Sequence, residues 1–449
     1  MIITYDKSKL IAGIALYPWT RLGPENWFKD YKIIAAHGWD LPVRQDNIEL
    51  LSANITDTAV RKTQQFIETD EFKTILFKLP SGYKLIPYKP VKAPGWCDNV
   101  ILQNDPKFTE NYENKKRFRE SFDGLLPFAQ YRVLLKTSLK NNKDYFSELL
   151  NGQSKIVIQD ELLSGGRGTH LISTYEEYDS FFSSTAFKEG GESVVMSSFI
   201  PEAKELSLQC VATRYGTITS LPQQQYVREE KLCKVNISSA DKFCGGQVAE
   251  DLVNDEQAEQ LTGYAKLIGD KMYSGGYRGI FGVDLLLGQD DRVYVLEVNA
   301  RVTGLTPLYN VFSGTHETPF NLLHVLELAN ADYEIQEDSE PPKFQAKSLM
   351  MYHALIDEVS KVSLAPNSGT YAYDSTGLKL LSRQISFDYE STDSMLLHIY
   401  PRKDDIMNPG DRLCAVYLPF AAKSPSGHFT DEAAQIIEHL NELFIFTKC

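Results

Sequence analysis

Residues 279–304 read GIFGVDLLLGQDDRVYVLEVNARVTG, and this stretch decides how the rest of the chain is interpreted. Residues 280–287 are apolar and rich in β-formers, residues 288–291 are turn formers, and residues 292–298 alternate between polar and apolar side chains. Two β-rich runs joined by a short Gly/Asp segment are typical of a β-hairpin. The stretch therefore predicts two antiparallel strands.

Acidic and amide side chains fall on one face of this predicted hairpin. The expected turn pairs Asp284 with Val295, and because side chains alternate along a strand, Glu297 then shares their face. Asn299 and Arg301 follow Glu297 at successive steps of two. In this register Asp284 lies diagonally from Glu297, at roughly 7–8 Å.

Such a face is poorly suited to a protein core. Unpaired carboxylates cost several kcal/mol when buried, whereas carboxylates with other oxygen ligands and phosphates are suited to Mg²⁺. The alternative is an amphipathic hairpin with a solvated polar face. We favour a cation site, because Asn299 and Arg301 continue the face in step with the acids.

These strands resemble the end of the second lobe in the ATP-grasp superfamily, where an Asp strand precedes a strand ending Glu-x-Asn-x-Arg. The match is Asp284 followed by Glu297, Asn299 and Arg301. Members of this superfamily bind ATP between two α+β lobes. The resemblance implies that Asp284, Glu297 and Asn299 hold Mg²⁺ (or Mn²⁺) with ATP as cosubstrate. It also implies that Arg301 is catalytic and faces the transferred phosphoryl group or an acyl phosphate.

The composition excludes several classes of protein. Hydrophobic residues make up 43% of the chain and charged residues 24%, which is ordinary for a soluble globular protein. No apolar run approaches the ~18 residues of a membrane span, and a secretory-signal pattern is missing from the N-terminus. Six cysteines without CxxC spacing are typical of reduced thiols, so we expect a cytoplasmic protein. A net charge of −14 disfavours nucleic-acid and membrane partners, because such binding needs basic patches.

Residues 1–110 are expected to form an N-terminal α/β domain, in the position of the domain that precedes the ATP-grasp lobes. Apolar runs at 32–36, 74–79 and 99–103 are suited to strands, and residues 56–69 have helical spacing. Alternating strands and helices favour a small parallel sheet. No Gly-x-Gly-x-x-Gly motif occurs in this part, so we expect no dinucleotide site.

A glycine-rich loop is the candidate phosphate site. Residues 155–160 read as a strand, and the loop after them has three glycines in four positions, which leave backbone N–H groups free to approach an anion. It is not a Walker A loop, and a glycine-rich hairpin without function is the alternative. The resemblance implies a phosphate lid made of Ser164, Gly165, Gly166, Arg167, Gly168 and Thr169.

The family also directs lysines at the ATP phosphates. Lys115, at the start of a basic helix, fits one such position, although a solvated basic face would also explain it. Where most members have a second lysine, before the glycine-rich loop, this chain has Gln159. A neutral contact is roughly half as strong as a charge-assisted one. Either Arg167, Lys155 or Lys136 compensates, or the nucleotide is bound differently.

The adenosine part of ATP is assigned to the segment after residue 193. By resemblance, backbone groups at Ser198, Phe199 and Ile200 bind the adenine edge, and Glu205 accepts the ribose hydroxyls. Glu202 is the second choice for the ribose acid. A turn with surface acids is the alternative interpretation of this segment.

The expected fold class is α/β with α+β lobes. We predict an N-terminal domain at 1–110, an ATP-grasp domain of two lobes at 111–335 and a small C-terminal α/β domain at 336–449. An acidic, Pro-containing segment at 334–343 marks the last boundary. The chain is expected to end in a helix at 431–444 with Thr430 as its N-cap.

The resemblance covers residues 112–310 and predicts a carboxylate–amine ligase that releases ADP and phosphate. The carboxylate would be activated as an acyl phosphate and coupled to an amine, as in amino-acid or dipeptide ligation. A biotin-carboxylase-like carboxylase, another ATP-grasp phosphotransferase and a catalytically inactive nucleotide-binding module are the alternatives. Expected partners are ATP and small carboxylate and amine substrates. The oligomeric state is left open by the sequence, and a homodimer is one option because ATP-grasp ligases often dimerise.

Overall fold

A computed structural model describes most of the chain. The residues outside the description are 1, 38–47, 54, 56–59, 61, 98–99, 140–142, 151, 153, 164–167, 184, 189, 235–242, 312–317, 337–344 and 384–392. Among the described residues, no helix combines the length and apolar character that crossing a bilayer requires.

A small parallel sheet forms near the N-terminus. The elements of this part are β1 Ile2–Tyr5, β2 Ile11–Ala15, β3 Tyr31–Ala35, β4 Ile48–Ser52, α1 Thr63–Ile67, α2 Asp70–Lys78 and β5 Lys84–Pro87. The strand order is β4-β3-β2-β5, with all pairs parallel. Every residue of β2 is buried, as in parallel sheets that are covered on both faces. The predicted parallel sheet is therefore confirmed.

Of the three strands predicted in this part, the strand at 32–36 is confirmed as β3 and the strand at 74–79 is wrong. The described residues of 99–103 form only an isolated bridge, from Ile101 to Leu85. Residues 74–79 were expected to be extended, but residues 74–78 lie in α2. The Thr69 hydroxyl accepts a hydrogen bond from the Phe72 amide at 3.2 Å and so caps this helix. The cap and the amphipathic spacing around Phe72 outweigh the local β-propensity of a short apolar run. Of the helix predicted at 56–69, residues 63–67 form α1, the other described residues are not helical, and residues 56–59 and 61 lie outside the description.

The first lobe is an antiparallel sheet preceded by two short helices. Its elements are α3 Pro106–Glu113, α4 Lys115–Ser121, β6 Tyr131–Leu135, α5 Lys136–Leu139, α6 Lys143–Leu150, β7 Ile156–Asp160, β8 Thr169–Ile172, α7 Tyr175–Phe181, α8 Thr185–Lys188 and β9 Ser193–Ser198. The strand order is β6-β9-β7-β8. The β7–β8 hairpin carries the glycine-rich loop at its tip.

The second lobe is built on one long helix. Its elements are β10 Lys204–Thr213, β11 Gly216–Thr219, β12 Gln223–Val227, β13 Phe243–Val248, α9 Asp255–Ser274, β14 Gly279–Leu287 and β15 Val293–Asn299. Helix α9 buries Leu261, Ala265, Ile268 and Met272 at helical spacing, in one core with Phe281 of β14. The core fixes one face of β14 against α9, so the other face is free to carry polar side chains.

The C-terminal strands continue the sheet of the second lobe. The remaining elements are α10 Thr306–Val311, α11 Phe320–Leu328, β16 Tyr333–Gln336, β17 Lys347–His353, β18 Ser360–Leu364, β19 Gly369–Asp374, β20 Gly377–Ser382, β21 Ser394–Ile399, β22 Ile406–Met407, β23 Arg412–Leu418, α12 Asp431–Leu443 and β24 Ile445–Lys448. One sheet runs in the order β15-β14-β10-β12-β13-β17-β23-β21-β19-β20. The domain boundaries at 110 and 335 stay predictions, although hydrogen bonding crosses the second of them.

Strand pairing also involves both ends of the chain. Strand β1 pairs antiparallel with β16, and the last strand, β24, pairs with β18, which also pairs with β22 in a separate small sheet. The predicted C-terminal helix is confirmed as α12, and the Thr430 hydroxyl accepts a hydrogen bond from the Ala433 amide at 3.2 Å. The mixed helices and sheets agree with the predicted α/β class.

The seam between β13 and β17 depends on Gly245. This residue has a φ of +115°, and a Cβ at this position would lie 1.9 Å from the Leu349 carbonyl oxygen. We expect Gly245→Ala to lower the free energy of unfolding by about 3 kcal/mol, because it adds both backbone strain and overpacking.

A matched glycine provides the control for this measurement. Gly263 lies in α9 with nothing within 4 Å of an added Cβ. Gly263→Ala should be neutral or stabilising by about 0.5–1 kcal/mol, because alanine favours the helix. Urea unfolding of the two variants measures the difference, and equal effects would contradict the role of Gly245 at the seam.

Candidate functional site

A β-bulge brings the two acidic residues of the central hairpin directly opposite each other. Asp284 pairs with Glu297 and Leu285 pairs with Val295, so Leu296 is the extra residue on β15. The predicted register, with Asp284 opposite Val295, is therefore wrong. Val295 is 1% exposed and belongs to the core, because the bulge reverses the alternation before Glu297.

The turn of the hairpin is also longer than expected. The Gly288 amide donates to the Arg292 carbonyl at 2.9 Å, and Asp291 has a φ of +60° at the tip. The longer turn and the bulge each shift the strand register by one residue. Their effects on side-chain alternation cancel, so Asp284 and Glu297 still share a face. They are closer than the sequence predicted, since directly opposite residues lie roughly 4.5–5.5 Å apart at Cβ.

Asp284 is surrounded by amide donors. Its carboxylate accepts hydrogen bonds from Gln225 Nε2 at 2.6 Å and from Asn299 Nδ2 at 2.8 Å. Burial and the nearby charge of Glu297 raise the pKa of Asp284 to about 7. The negative charge of Asp284 is thus incompletely compensated by the residues that surround it.

Glu297 is compensated by cations instead. Lys115 Nζ lies 3.4 Å from Glu297 Oε2, and the lysine also donates to the Leu163 carbonyl at 2.8 Å. Burial alone would raise the pKa of Glu297, but the charges of Lys115 and Arg301 hold it below its usual value. Lys115 sits at the first position of α4, which is capped by Asn114 through the Arg117 amide at 2.9 Å. Helix α4 therefore places Lys115 of the first lobe beside Glu297 of the second lobe.

Arg301 follows β15 and is held by two neighbours. Its Nη2 donates to Asn299 Oδ1 at 2.7 Å, and its Nε lies 2.9 Å from Glu113 Oε1 as an ion pair without hydrogen-bond geometry. Burial would lower the pKa of Arg301, yet Glu113 and the other facing groups raise it. The guanidinium is therefore a fixed, charged group beside the two acids.

The strand before the glycine-rich loop contributes Gln159 to the same region. Gln159 Nε2 lies 3.4 Å from Thr169 Oγ1, while Gln159 Oε1 accepts a hydrogen bond from Arg119 Nη2 at 3.2 Å. Gly168 packs closely, since a Cβ there would lie 2.6 Å from Leu163 Cβ. The predicted lid residues Ser164, Gly165, Gly166 and Arg167 lie outside the described residues.

The lysines proposed to compensate for Gln159 are engaged elsewhere. Lys136 Nζ forms an ion pair with Asp160 at 2.7 Å and donates to the Phe187 carbonyl at 2.9 Å. Lys155 Nζ lies 5.6 Å from the centroid of the Phe199 ring. Of the two, Lys155 lies near the predicted adenine segment, and Lys136 serves the interior of the first lobe.

The predicted adenosine contacts lie at the junction of the two lobes. Ser198 ends β9 and donates its amide to the Gln130 carbonyl at 2.9 Å; Phe199 and Ile200 follow it and lead to β10. Glu205 pairs with Leu286 and Ser207 with Asp284, so Glu205 lies one step of two from the acidic pair, on the same face. Glu202 is exposed and accepts a hydrogen bond from Gln289 at the hairpin turn.

Two residues of this region were missed by the sequence analysis. Arg119 follows Lys115 by four residues, so both lie on one face of α4, and this spacing was a usable signal. Gln225 reaches Asp284 from β12. The Gln223-Gln224-Gln225 run carried no signal for it, because strand order is not visible in sequence.

The two opposed carboxylates fit a hard divalent cation. Mg²⁺ is usually bound by one or two carboxylates together with substrate phosphates. The raised pKa of Asp284 shows that its ionised form is destabilised, and a bound cation would stabilise that form. Asn299 fits less well as it stands, because its oxygen faces Arg301 and its nitrogen faces Asp284. Within the described part of the chain, no group of three or more His, Cys, Asp or Glu side chains is arranged for a metal. Any cation here would depend on these two acids and the nucleotide.

The two acids should affect stability in opposite directions. In metal-free protein at pH 8, we expect Asp284→Asn to raise the free energy of unfolding by about 1–2 kcal/mol, because it removes an ionised group that the fold disfavours. Glu297→Gln should lower it by about 1 kcal/mol, since Lys115 loses its partner at a partly exposed site. Urea unfolding after treatment with a chelator measures both.

The pH dependence of this stability follows from the sign of the pKa shift. The folded-state pKa of Asp284, about 7, lies above the usual value of 3.8, so ionisation opposes folding. The gain from Asp284→Asn should be complete above pH 7 and disappear as the pH falls towards about 4. A gain that is constant between pH 5 and 8 would contradict the assignment.

Comparison with known proteins supports the same fold. A family model described as an ATP-grasp domain matches residues 128–305. A sequence search of curated proteins gave no match.

Solved structures resemble the whole chain at low sequence identity. The biotin carboxylase domain of Hydrogenobacter thermophilus 2-oxoglutarate carboxylase, solved as a dimer with MgADP, ADP and bicarbonate, is 11% identical with a TM-score of 0.61, over 99% of this chain and 91% of that one. Campylobacter jejuni biotin carboxylase is 9% identical with a TM-score of 0.61, over 97% and 92%. Thermotoga maritima N5-carboxyaminoimidazole ribonucleotide synthetase is 10% identical with a TM-score of 0.53, over 98% and 100%. At such identities the likeness concerns the fold alone, and together with the family match it shows that this chain carries an ATP-grasp domain in residues 128–305.

Proposed function

We propose that this protein is an ATP-dependent carboxylate–amine ligase that releases ADP and phosphate. The observation that carries the proposal is the direct opposition of Asp284 and Glu297, with Lys115 beside Glu297 and Arg301 bonded to Asn299. Such a group of acids and fixed cations is suited to holding a metal–nucleotide complex and stabilising negative charge as it moves.

The nucleotide would lie between the two lobes. Ser198, Phe199 and Ile200 would contact adenine, Glu205 the ribose, and Lys115, Gln159, Gly168 and Thr169 the phosphates, together with the lid residues 164–167. Asp284 and Glu297 would hold Mg²⁺, and Asn299 could join them if its amide rotates. The cation supplies neutralisation of the phosphate charge.

The reaction would proceed in two balanced steps. A carboxylate oxygen attacks the γ-phosphorus of ATP, the bond to the β-phosphate oxygen breaks, and an acyl phosphate and ADP result. An amine nitrogen then attacks the acyl carbon, the bond to the phosphate oxygen breaks, and the amine loses a proton as the amide forms. Arg301 is charged and fixed beside the acids, so we propose that it stabilises the oxyanion of the second step.

A biotin-carboxylase-like carboxylase is the second candidate. The observation in its favour is the likeness to two biotin carboxylases over nearly the whole chain, C-terminal strands included. In that case bicarbonate would be the activated carboxylate. The proposed small-molecule partners, the option of a homodimer and the cytoplasmic location are shared by both candidates and stay predictions.

Product analysis distinguishes these candidates. Purified protein is incubated with Mg²⁺ and ATP against pools of amino acids and small carboxylates, each with and without amines, and against bicarbonate with biotin. Release of ADP and phosphate that requires both a carboxylate and an amine is the expected result. Release that requires only bicarbonate and biotin would favour the carboxylase, and release of AMP would overturn both.

Substitution of Glu297 tests the metal assignment. Glu297→Gln keeps the size of the side chain but removes one of the two opposed charges, so we expect Mg²⁺-dependent ADP release to fall by at least about 100-fold. Glu259→Gln, an exposed acid on α9, is the control and should retain full activity. Undiminished turnover in Glu297→Gln would show that the cation does not depend on this residue.

Substitution of Arg301 separates catalysis from binding. Arg301→Met should reduce product formation by about 100-fold or more while the Kd for ATP changes less than about threefold. Equal losses of binding and product formation would make Arg301 a binding residue. Arg292→Met, in the exposed hairpin turn, is the matched control.

A further inference from the structure

Arg119 is a buried cation that the proposed reaction has not used. It lies on α4 four residues after Lys115 and is 3% exposed. Its guanidinium carbon lies 5.7 Å from the ring centroid of Phe128 and 5.7 Å from that of Tyr131. The two aromatic rings confine the guanidinium to one place between the lobes.

The other buried cations of this region are matched by an acid. Lys115 lies beside Glu297, Lys136 beside Asp160, and Arg301 beside Glu113. Each of these pairs has a nitrogen–oxygen distance of 3.4 Å or less. These pairs use one carboxylate each from α3, β7 and β15.

Arg119 has only neutral hydrogen-bond partners. Its Nη2 donates to Gln159 Oε1 at 3.2 Å and its Nη1 to the Lys115 carbonyl at 3.4 Å, while its Nε has no hydrogen-bond partner among the described residues. No carboxylate oxygen in the described ranges lies within ion-pair distance of it, and the acid that acts on it, Glu297, is shared with Lys115. A buried cation without its own anion is costly, so this position is suited to an anion from outside the chain.

The position of Arg119 indicates which anion this is. Its neighbour Gln159 lies one residue before the end of β7, at the entrance to the glycine-rich loop, and contacts Thr169 at the loop's exit. Glu297, whose charge also acts on Arg119, belongs to the acidic pair assigned to the cation. An anion at Arg119 would therefore lie between the glycine-rich loop and the cation, which is where the proposed function puts the phosphates of ATP.

We propose that Arg119 binds the polyphosphate of the nucleotide and supplies, from helix α4, the positive charge that Gln159 cannot supply from strand β7. Gln159 acts as a positioning residue, because its oxygen holds Nη2 and leaves its amide nitrogen facing Thr169. A guanidinium presents its N–H groups in a fixed plane and can bind phosphate oxygens in pairs. This proposal rests on the proposed function only in requiring that the chain binds ATP.

The test compares binding of phosphate-bearing and phosphate-free ligands by calorimetry. MgATP, MgADP and adenosine are titrated into the full-length protein and into Arg119→Met. We expect the variant to bind MgATP and MgADP about 10-fold to 100-fold more weakly, and adenosine unchanged. Arg117→Met, an exposed cation on the same helix, is the control and should bind all three ligands as the unmodified protein does.

Moving the positive charge from position 119 to position 159 makes the test specific. In Arg119→Met/Gln159→Lys the cation returns on the neighbouring strand, and binding of MgATP should recover to within about fivefold of the unmodified protein. Gln159→Lys alone should give no gain, because two cations would then occupy one anion site. Arg119→Lys keeps the charge without the planar group and should show an intermediate loss. Arg119→Lys changes the packing least. It replaces Arg119→Met in the comparison if thermal unfolding shows that Arg119→Met is not folded.

The possible outcomes separate this inference from the proposed function. Unchanged MgATP binding in Arg119→Met would overturn the inference alone. Equal loss of MgATP and adenosine, or no recovery in the double variant, would make Arg119 a structural residue. Absence of nucleotide binding by the unmodified protein would overturn the proposed function and the inference with it.

Discussion

The carboxylates of Asp284 and Glu297 lie opposite each other on β14 and β15 and repel each other when both are ionised. The residues around each carboxylate offset this repulsion in different ways. Asp284 accepts hydrogen bonds from the side-chain amides of Gln225 and Asn299, whereas Glu297 forms an ion pair with Lys115. Burial and the charge of Glu297 raise the pKa of Asp284. The charges of Lys115 and Arg301 instead keep the pKa of Glu297 below its usual value. One acid is thus balanced within the chain and the other is left with charge that a ligand can balance.

The cations that meet this pair come from separate parts of the structure. Lys115 and Arg119 lie on one face of α4 in the first lobe, and Arg301 follows the last strand of the second lobe. A glutamate of α3, Glu113, holds Arg301 in turn. These ion pairs and hydrogen bonds therefore couple parts of the chain that are far apart in sequence, and binding of a charged nucleotide would change the interactions of both lobes together.

The neutral side chain of Gln159 is explained by the positive charge of Arg119, which lies next to it. A lysine there would stand beside Arg119, and two buried cations without a second anion would repel each other. With an amide at this position, one hydrogen bond to Arg119 and a contact with Thr169 are both satisfied. A family position that looked deficient in the sequence is accompanied by a guanidinium on a neighbouring helix, while Lys136 is committed to Asp160.

The sequence by itself determined several helices and strands, the polar residues of the central hairpin and the resemblance to an ATP-grasp domain that the family model matches over residues 128–305. The hairpin, the long helix α9 and the helix behind Thr430 follow from local periodicity and capping, which are short-range effects. The acids, amide and arginine of the hairpin could be named from their spacing of two. Only the tertiary structure decided the bulge at Leu296, which moves Val295 into the core and sets Asp284 opposite Glu297. Only it brought Gln225 to Asp284, Arg119 to Gln159, and the C-terminal strands into the sheet of the second lobe. The physical reason is that register, strand order and the pairing of buried charges are fixed by packing between segments far apart in the chain, where local sequence carries no information about the partner.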